Sequence, residues 1–262
     1  MEPDEFVAEV YRRMSLRAKE QRDLAIKWND FMNDRAAVIA SGQYESALPR
    51  NKNAKILDIG FGNGWFMSAC IKLGYTDIYG ADFGGVEKMS QVCKATSSIK
   101  GIFDIRTNIG EFLAEKNEKY DFIHLSHVIE HIPKYSLLYV TDALYRSLNR
   151  GGVLFLRTPN MEAPCALSSL YVTLGHEYGF CGSNLVSLLS ICGFDDIKFH
   201  NFHLYQPTVK QRLGQWVREP FIFYNMLRHR LFGVNHGGQF DPELLVSGSR
   251  GDFQELFDEK YR

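Results

Sequence analysis

The 262-residue chain lacks an excess of either charge, a paired-cysteine motif and a long apolar run. Its 30 basic and 31 acidic side chains leave a net charge of −1, so nucleic-acid binding is not expected, because that binding depends on an excess of basic groups. The five cysteines form no C-x-x-C pair and leave one odd, which argues against a disulfide framework. Without a membrane-spanning run or a signal peptide, a cytoplasmic protein is expected.

Glycine, by contrast, is concentrated in one informative segment. Residues 58–64 read DIGFGNG, the apolar run KIL precedes them and WFM follows them. This pattern predicts a loop that joins a buried strand to a helix. Glycines at alternate positions let the backbone turn sharply and approach a ligand closely, while the amides of the following helix face outward. Such a loop is suited to hold a nucleotide-like cofactor by its backbone.

The spacing of this loop separates two cofactor classes. A dinucleotide-binding loop reads G-x-G-x-x-G/A, and its small third residue allows close packing of the helix, but here Trp65 stands at that place. The D-x-G-x-G-x-G pattern instead resembles the first motif of class I S-adenosylmethionine (SAM)-dependent methyltransferases. The resemblance implies that SAM is the cofactor and that it is contacted by Asp58, Gly60, Phe61, Gly62 and Gly64.

A second strand is predicted over residues 77–81, and it ends at Asp82 and Phe83. Open α/β sheets bind ligands at the carboxyl ends of their strands, and a carboxylate there can accept both ribose hydroxyls of the cofactor. The alternative role of Asp82 is to cap the helix predicted over residues 85–95.

Two further strands extend the cofactor site that the resemblance implies. The third, residues 101–106, precedes Asn108 and Ile109, where the family places a polar contact to the adenine amine. The fourth, residues 120–125, leads to Ser126. The phrases YDFIHLSHVIEHI, which starts at residue 120, and LNRGGVLFLRTPN, which contains the fifth strand at 152–156, also resemble this family. The resemblance covers roughly residues 55–160.

The predicted fold is therefore α/β, a Rossmann-like, seven-stranded, mostly parallel sheet with flanking helices. Residues 1–50 form an N-terminal helical cap of two amphipathic helices over the cofactor cleft. The SAM-binding core spans 51–205, and its segment 161–182 is expected to cover the substrate. A helical insertion at 206–238 precedes the last strand and tail, 239–262.

The insertion mixes aromatic residues with five basic residues and one acid, Glu219, a local charge of +4. Four interpretations stay open. The segment can pack on its own domain, form a homodimer interface, support an anionic acceptor or make a peripheral membrane contact. The basic residues are Lys210, Arg212, Arg218, Arg228 and Arg230.

Histidines are the candidate catalytic residues. Methyl transfer from a sulfonium is an in-line displacement, so positioning supplies much of the rate, and a hydroxyl acceptor must also lose a proton. Imidazole titrates near neutral pH and suits that task. His127 and His131 follow the fourth strand and are the predicted bases, and His176 lies in the covering segment. His124, inside the strand, is interpreted as a satisfied core residue.

The spacing His127-x-x-Glu130-His131 also suggests a divalent metal site. With His127 in place of the first Glu, it resembles the E-x-x-E-H motif of RNA 2'-O-methyltransferases and ubiquinone-pathway O-methyltransferases, which add a downstream histidine as a ligand. The resemblance implies His127, Glu130, His131 and His176 as ligands of a metal that lowers the pKa of a bound hydroxyl. The alternative is that the Glu-His pair only anchors its loop.

The core phrases and the basic aromatic insertion also resemble O-methyltransferases of bacterial surface-glycan pathways. This resemblance implies a SAM-dependent methyltransferase that O-methylates a sugar or glycan, such as capsule, lipopolysaccharide or a nucleotide-linked sugar. A small-molecule or quinone O-methyltransferase and an N-methyltransferase are the alternatives within the superfamily. A SAM-binding regulatory or scaffold protein without turnover is the alternative of another class.

Overall fold

The computed structural model describes residues 9–10, 44–93, 96–105, 107–163, 166–200, 209–231 and 241–251. A seven-stranded sheet forms its centre. The strands are β1 (Lys55–Ile59), β2 (Asp77–Asp82), β3 (Ile99–Asp104), β4 (Tyr120–Ser126), β5 (Leu148–Pro159), β6 (Phe194–Phe199) and β7 (Glu243–Arg250).

Helices connect the strands. In the described residues they are α1 (Trp65–Lys72), α2 (Val86–Cys93), α3 (Ile109–Lys116), α4 (Leu137–Ser147), α5 (Ala166–Leu170), α6 (Gly182–Ile191) and α7 (Val209–Leu231). Two short 3₁₀ turns, Ile129–His131 and Lys134–Ser136, connect β4 to α4.

The strand order β3-β2-β1-β4-β5-β7-β6 confirms the predicted fold. β1 to β5 are parallel, and β7 inserts antiparallel between β5 and β6. Parallel strands end on one edge of the sheet, so the loops after β1, β2 and β4 lie together. Two strand predictions needed correction: β3 begins and ends two residues earlier than predicted, and β5 starts at Leu148.

Each face of the sheet carries its own buried apolar cluster, because side chains alternate along a strand. In β1, Leu57 and Ile59 belong to one cluster and Ile56 belongs to the other. Ile56 packs with Phe66 of α1 and Phe122 of β4. Two polar groups, Asp58 and His124, interrupt this second face where β1 and β4 approach their carboxyl ends.

The structure describes only some of the residues for which the N-terminal cap, the insertion and the C-terminal tail are predicted. Most of the N-terminal cap, residues 11–43, lies outside the described residues, as do 201–208 and 232–240 of the region around the insertion. Within the insertion, residues 209–231 form the single helix α7. Among the described residues, no helix combines the length and the apolar character that crossing a bilayer requires. The four domain boundaries remain predictions.

Candidate active site

A cavity of about 390 Å³ opens at the carboxyl ends of β1, β2 and β4. Its position is the one predicted for the cofactor. Seven of the ten predicted cofactor residues line it, together with both predicted catalytic histidines, His127 and His131. The seven are Gly60, Gly62, Asp82, Phe83, Asn108, Ile109 and Ser126.

The glycine loop has the backbone geometry that its sequence predicts. Gly60, Gly62 and Gly64 all have positive φ, at 74°, 50° and 78°. A Cβ on Gly60 would lie 2.3 Å from Cγ2 of Val128, so this position requires glycine for packing. At Gly62 a Cβ would meet no atom within 4 Å, because this residue lies at the open wall of the cavity. The loop therefore offers its backbone to a ligand at Gly62.

Asp82 connects the end of β2 to the glycine loop. Its Oδ2 accepts the amide of Gly62 at 2.8 Å, and its Oδ1 accepts the amide of Gly84 at 3.1 Å. Because α2 begins at Val86, Asp82 is not its N-cap. Burial raises the pKa of Asp82 to about 6, against the opposing effect of the bonds from Gly62 and Gly84. A carboxylate has further lone pairs, so both oxygens can also accept ribose hydroxyls.

Four of the predicted cofactor residues have a position or a contact other than the one that the sequence predicts. Asn108 lines the cavity, but its Oδ1 caps α3 by accepting the amide of Glu111 at 2.9 Å. Asp58 and Phe61 line a second, neighbouring cavity. Gly64 is the residue before α1 and lines neither of these two cavities.

His127 lies in a network of charged groups at the cavity wall. Its Nδ1 is 3.2 Å from Oε1 of Glu130, and its Nε2 is 3.6 Å from Oε1 of Glu243. Glu243 also accepts Nε of Arg157. Burial opposes the charge on His127, but the bonds to the two glutamates outweigh it and raise its pKa to about 9. Protonated at neutral pH, His127 is a donor, which argues against its predicted role as the base.

His127 also has a strained backbone. Its φ is 54°, in the left-handed region that residues other than glycine rarely adopt. The amide of His127 donates to the carbonyl of Arg157 at 2.8 Å and holds this conformation. Such strain persists where surrounding contacts over-determine it, which is common in functional sites.

The other histidines form a cluster with Glu130. One ligand atom from each of Glu130, His131 and His176 lies within 4.8 Å of the others. The Nδ1 of His131 bonds to the carbonyl of Gly175 at 2.6 Å, and that of His176 to the carbonyl of Leu170 at 3.0 Å. A carbonyl oxygen only accepts, so Nδ1 of each ring carries a proton, and in the neutral form of the ring Nε2 has the lone pair.

The structure therefore brings together three of the four predicted metal ligands and leaves His127 outside the cluster. Glu130 is only 2% exposed, and its Oε2 accepts the hydroxyl of Thr158 at 3.0 Å. Burial lowers the pKa of His131 despite the nearby charge of Glu130 and the bond to Gly175. A neutral His131 at physiological pH can accept a proton or bind a metal.

Sequence reasoning missed Glu243 and Arg157 as members of the site. Nothing in the local sequence of either residue marks it as part of a site. The antiparallel register of β5 and β7 pairs Pro159 with Glu243, which places that carboxylate beside Arg157. Arg157 and Glu243 are 86 residues apart in the chain, so only the pairing of β5 with β7 reveals this contact.

The glycine loop, the strand order and the cavity at the strand ends define an α/β methyltransferase that binds SAM. The chain belongs to the methyltransferase domain family, whose model matches residues 32–201. This confirms the class I SAM-dependent methyltransferase and the cofactor, SAM, that the sequence predicts.

Curated relatives resemble part of the chain. The ubiquinone biosynthesis O-methyltransferase of Bartonella quintana (strain Toulouse) is 37% identical over 109 residues, 42% of this chain and 42% of that protein. The protein of the same name from Sinorhizobium medicae (strain WSM419) is 27% identical over 142 residues. That match spans 54% of this chain and 55% of the relative, so about half or less of each relative's length is matched.

Solved structures share the fold at low identity. A SAM-dependent methyltransferase from Archaeoglobus fulgidus has a TM-score of 0.55 at 19% identity, and the match covers 81% of this chain and 94% of that one. Human N-acetylserotonin methyltransferase in complex with SAM has a TM-score of 0.54 at 15% identity, and the match covers 84% and 55%. At these identities the likeness establishes the fold.

Proposed function

We propose that the protein transfers the methyl group of SAM to a hydroxyl group of a small acceptor. The observation that carries this proposal is the cluster of Glu130, His131 and His176 beside the cofactor cavity, whose wall includes His131. A hydroxyl must lose its proton during methyl transfer, whereas a neutral amine already presents a lone pair. A group that removes or displaces a proton therefore favours O-methylation over N-methylation.

Within this cluster, the chain's own residues position the acceptor and accept its proton. The carbonyl of Gly175 holds the ring of His131 so that Nε2 has the lone pair. Glu130 is fixed by Thr158 on one oxygen and by His127 on the other. His127 is charged by this pairing and also holds Glu243, so it orders the wall behind the acceptor.

The same three residues fit a divalent cation. Two imidazoles and one carboxylate form a ligand set that transition metals accept, and each imidazole already has the backbone acceptor typical of metal-binding histidines. When bound, such an ion would lower the pKa of an acceptor hydroxyl. His131 would then act as a ligand through the lone pair that otherwise accepts the proton.

We expect chelation to separate these two roles. Because three ligand atoms lie within 4.8 Å of one another and a bound ion would lower the pKa of the acceptor hydroxyl, incubation with EDTA should lower turnover, and Mn²⁺ should restore it. The measurement is formation of S-adenosylhomocysteine before and after dialysis. His176→Ala should lower both the bound metal and the response to Mn²⁺. Full turnover in the metal-free protein would leave His131 as a direct base and Glu130 as a loop anchor.

We propose that the acceptor is a hydroxylated aromatic ring, in preference to a sugar or glycan. The two curated relatives described above are named for ubiquinone biosynthesis, and neither name mentions a sugar. A panel of hydroxylated aromatics, sugar nucleotides, glycans and amines tests this order through acceptor-dependent formation of S-adenosylhomocysteine. Turnover with none of them would favour a SAM-binding regulatory role.

The proposed compartment is the cytoplasm, which suits the free thiols of Cys70, Cys181 and Cys192.

The exposed side chains of helix α7 are relevant to the kind of partner that the protein binds. Its large exposed apolar side chains argue against the interpretation that the insertion packs fully on its own domain. At 100° per residue, six of them lie within an arc of about 120°. Arg230 and Arg228, both exposed, border opposite edges of this arc. The six are Trp216, Val217, Phe223, Tyr224, Leu227 and Leu231.

This pattern favours the surface of an anionic membrane as the partner of α7. An apolar stripe between basic residues matches acyl chains and anionic headgroups. A second copy fits less well, because its helix would bring five further basic residues and only one acid against the first. An anionic acceptor would use the arginines but leave the exposed aromatic residues without a role.

We expect the protein to co-sediment with vesicles that contain anionic phospholipid. Arg228→Glu with Arg230→Glu should weaken this partition by about tenfold or more, since each basic residue near such a surface contributes about 1 kcal/mol. Lys100→Glu with Lys198→Glu, two exposed lysines on β3 and β6, is the matched control and should change little. Unchanged partition together with loss of a dimer in the α7 variant would assign the helix to self-association.

A further inference from the structure

The imidazole ring of His127 connects the start of β7 to the cluster beside the cofactor cavity, which consists of Glu130, His131 and His176. Its Nε2 is 3.6 Å from Oε1 of Glu243, the first residue of β7, and its Nδ1 is 3.2 Å from Oε1 of Glu130. The ring therefore lies between two carboxylates, one on β7 and one inside the cluster. Through this ring, Glu243 can affect the cluster without belonging to it.

Arg157 holds both ends of this connection. Its Nε donates to Oε2 of Glu243, and both of these side chains are mostly buried. Its backbone carbonyl accepts the amide of His127 at 2.8 Å and so holds the left-handed backbone of that residue. Because β5 carries Arg157 and pairs with β7 in a defined register, the sheet itself places the carboxylate beside the imidazole.

Glu130 contributes to the cluster in two ways, and both depend on its position. Its carboxylate supplies a ligand atom beside those of His131 and His176. Its backbone carbonyl accepts the amides of Glu177 and Tyr178 at 2.8 and 3.1 Å, which holds the chain directly after His176. A contact that fixes Glu130 therefore also fixes the place where the covering segment meets the cluster.

The ring of His127 depends on Glu243 as its second anchor. The side chain of His127 is 43% exposed, whereas that of Glu130 is 3% exposed. A partly exposed ring that is held at one edge keeps much of its rotational freedom, and rotation would remove its contact with the buried carboxylate. Losing a hydrogen-bond partner is costly for a buried charged group, so Glu130 would then shift. By holding the opposite edge of the ring, Glu243 prevents this rotation.

We propose that Glu243 is a positioning residue of the acceptor site, which holds the ring of His127 and through it fixes the carboxylate of Glu130 in the cluster. The proposal rests on the proposed function, in which this cluster handles the proton of the acceptor and fits a divalent cation. Glu243 lines neither of the two cavities, so its loss is expected to affect the cluster and to leave SAM binding unchanged.

Binding of Mn²⁺ to the full chain tests this role, because it reports on the geometry of the cluster without an acceptor. Electron paramagnetic resonance would measure free Mn²⁺ during a titration, and calorimetry would measure SAM affinity. Glu243→Gln keeps the size of the side chain and an oxygen for Arg157, but it removes the charge that holds His127. We expect Mn²⁺ to bind about tenfold more weakly, at the lower end of the range for groups that orient a metal ligand. SAM affinity should not change.

A double-variant cycle tests whether Glu243 acts through His127. Asparagine adopts the left-handed backbone more readily than most residues, so His127→Asn removes the ring and retains the turn. This single variant should weaken Mn²⁺ binding by about tenfold or more. If the ring carries the effect, adding Glu243→Gln should cause no further loss. Losses that add in the double variant would overturn the proposal.

Glu118→Gln is the matched control. Glu118 also pairs with a cation from another element, Lys55 of β1, but it lines neither of the two cavities. Its Mn²⁺ affinity, SAM affinity and melting temperature should stay at the wild-type level. Wild-type Mn²⁺ affinity in Glu243→Gln would overturn the proposal. A joint loss of Mn²⁺ affinity, SAM affinity and thermal stability in that variant would also overturn it, because this pattern marks a general structural role.

Amide hydrogen exchange tests the same role if the wild-type protein binds no Mn²⁺, an outcome that would refute the cation site of the proposed function. The amides of Glu177 and Tyr178 donate to the carbonyl of Glu130, so their exchange reports on its position directly. Both should exchange faster in Glu243→Gln and in His127→Asn, and at the wild-type rate in Glu118→Gln. Unchanged exchange in Glu243→Gln would overturn the proposal, whatever the fate of the cation site.

Discussion

Turnover should fall by about 10²–10⁴-fold in His131→Ala, while SAM affinity stays close to that of the wild-type protein. This range is typical of a positioned imidazole that handles a proton in the transition state. His131 lines the cofactor cavity, and its Nδ1 is committed to the carbonyl of Gly175. Its Nε2 therefore provides the lone pair, whether for a proton or for a metal. Single-turnover kinetics with calorimetry of SAM binding would measure both quantities.

His200→Ala is the matched control for this experiment. Burial lowers the pKa of His200 as it does for His131, but its ring bonds to Ser46 and Ser247 and lines neither of the two cavities. Turnover in this variant should be near normal. If His131→Ala also keeps normal turnover, the histidine cluster has no part in the reaction, and the case for a hydroxyl acceptor loses its support.

The second large effect is expected at Asp82. Asp82→Ala removes charge-assisted hydrogen bonds worth roughly 1.5–3 kcal/mol, so SAM should bind about 10- to 100-fold more weakly. Asp104→Asn is a useful control, because Asp104 is the register partner of Asp82 on β3 and does not line the cavity. Equal SAM affinity in folded Asp82→Ala would show that the ribose lies elsewhere.

The same residue predicts a pH dependence of cofactor binding. Burial raises the pKa of Asp82 to about 6, above its usual range, so the group is ionised above that pH and protonated below it. Protonation removes the charge that accepts both ribose hydroxyls, and SAM affinity should therefore fall as the pH drops through about 6. The affinity of Asp82→Asn should be low and should not change over this range. A wild-type affinity that is constant between pH 5 and 7.5 would contradict the role of Asp82.

The sequence was most informative where function depends on local backbone geometry. The loop at residues 58–64 requires positive φ at three alternate positions, and only glycine adopts this without strain. The placement of Asp82 followed from its position directly after the predicted second strand, since parallel strands end on a common edge. Both features involve neighbours in the chain, so a local pattern is sufficient to predict them.

Local patterns were less informative about what a polar residue contacts. His127 and His131 both follow β4 and are equivalent by position. Although burial opposes it, the bonds to Glu130 and Glu243 raise the pKa of His127, whereas the carbonyl of Gly175 orients His131. Asn108 was assigned to adenine, whereas its side-chain oxygen caps α3. The partner that decides each role comes from elsewhere in the fold or from a backbone amide, which residue type does not indicate.

By itself, the sequence determined the position of the cofactor loop through its glycine spacing and predicted the strands through their apolar runs, and its motifs carried the resemblance that implied the class of protein. The tertiary structure alone decided which charges meet. β7 inserts antiparallel beside β5 and brings Glu243 to His127 and Arg157, and the parallel register of β1 and β4 pairs Asp58 with His124. These contacts join residues 66 to 116 positions apart, and only the pairing of the strands creates them.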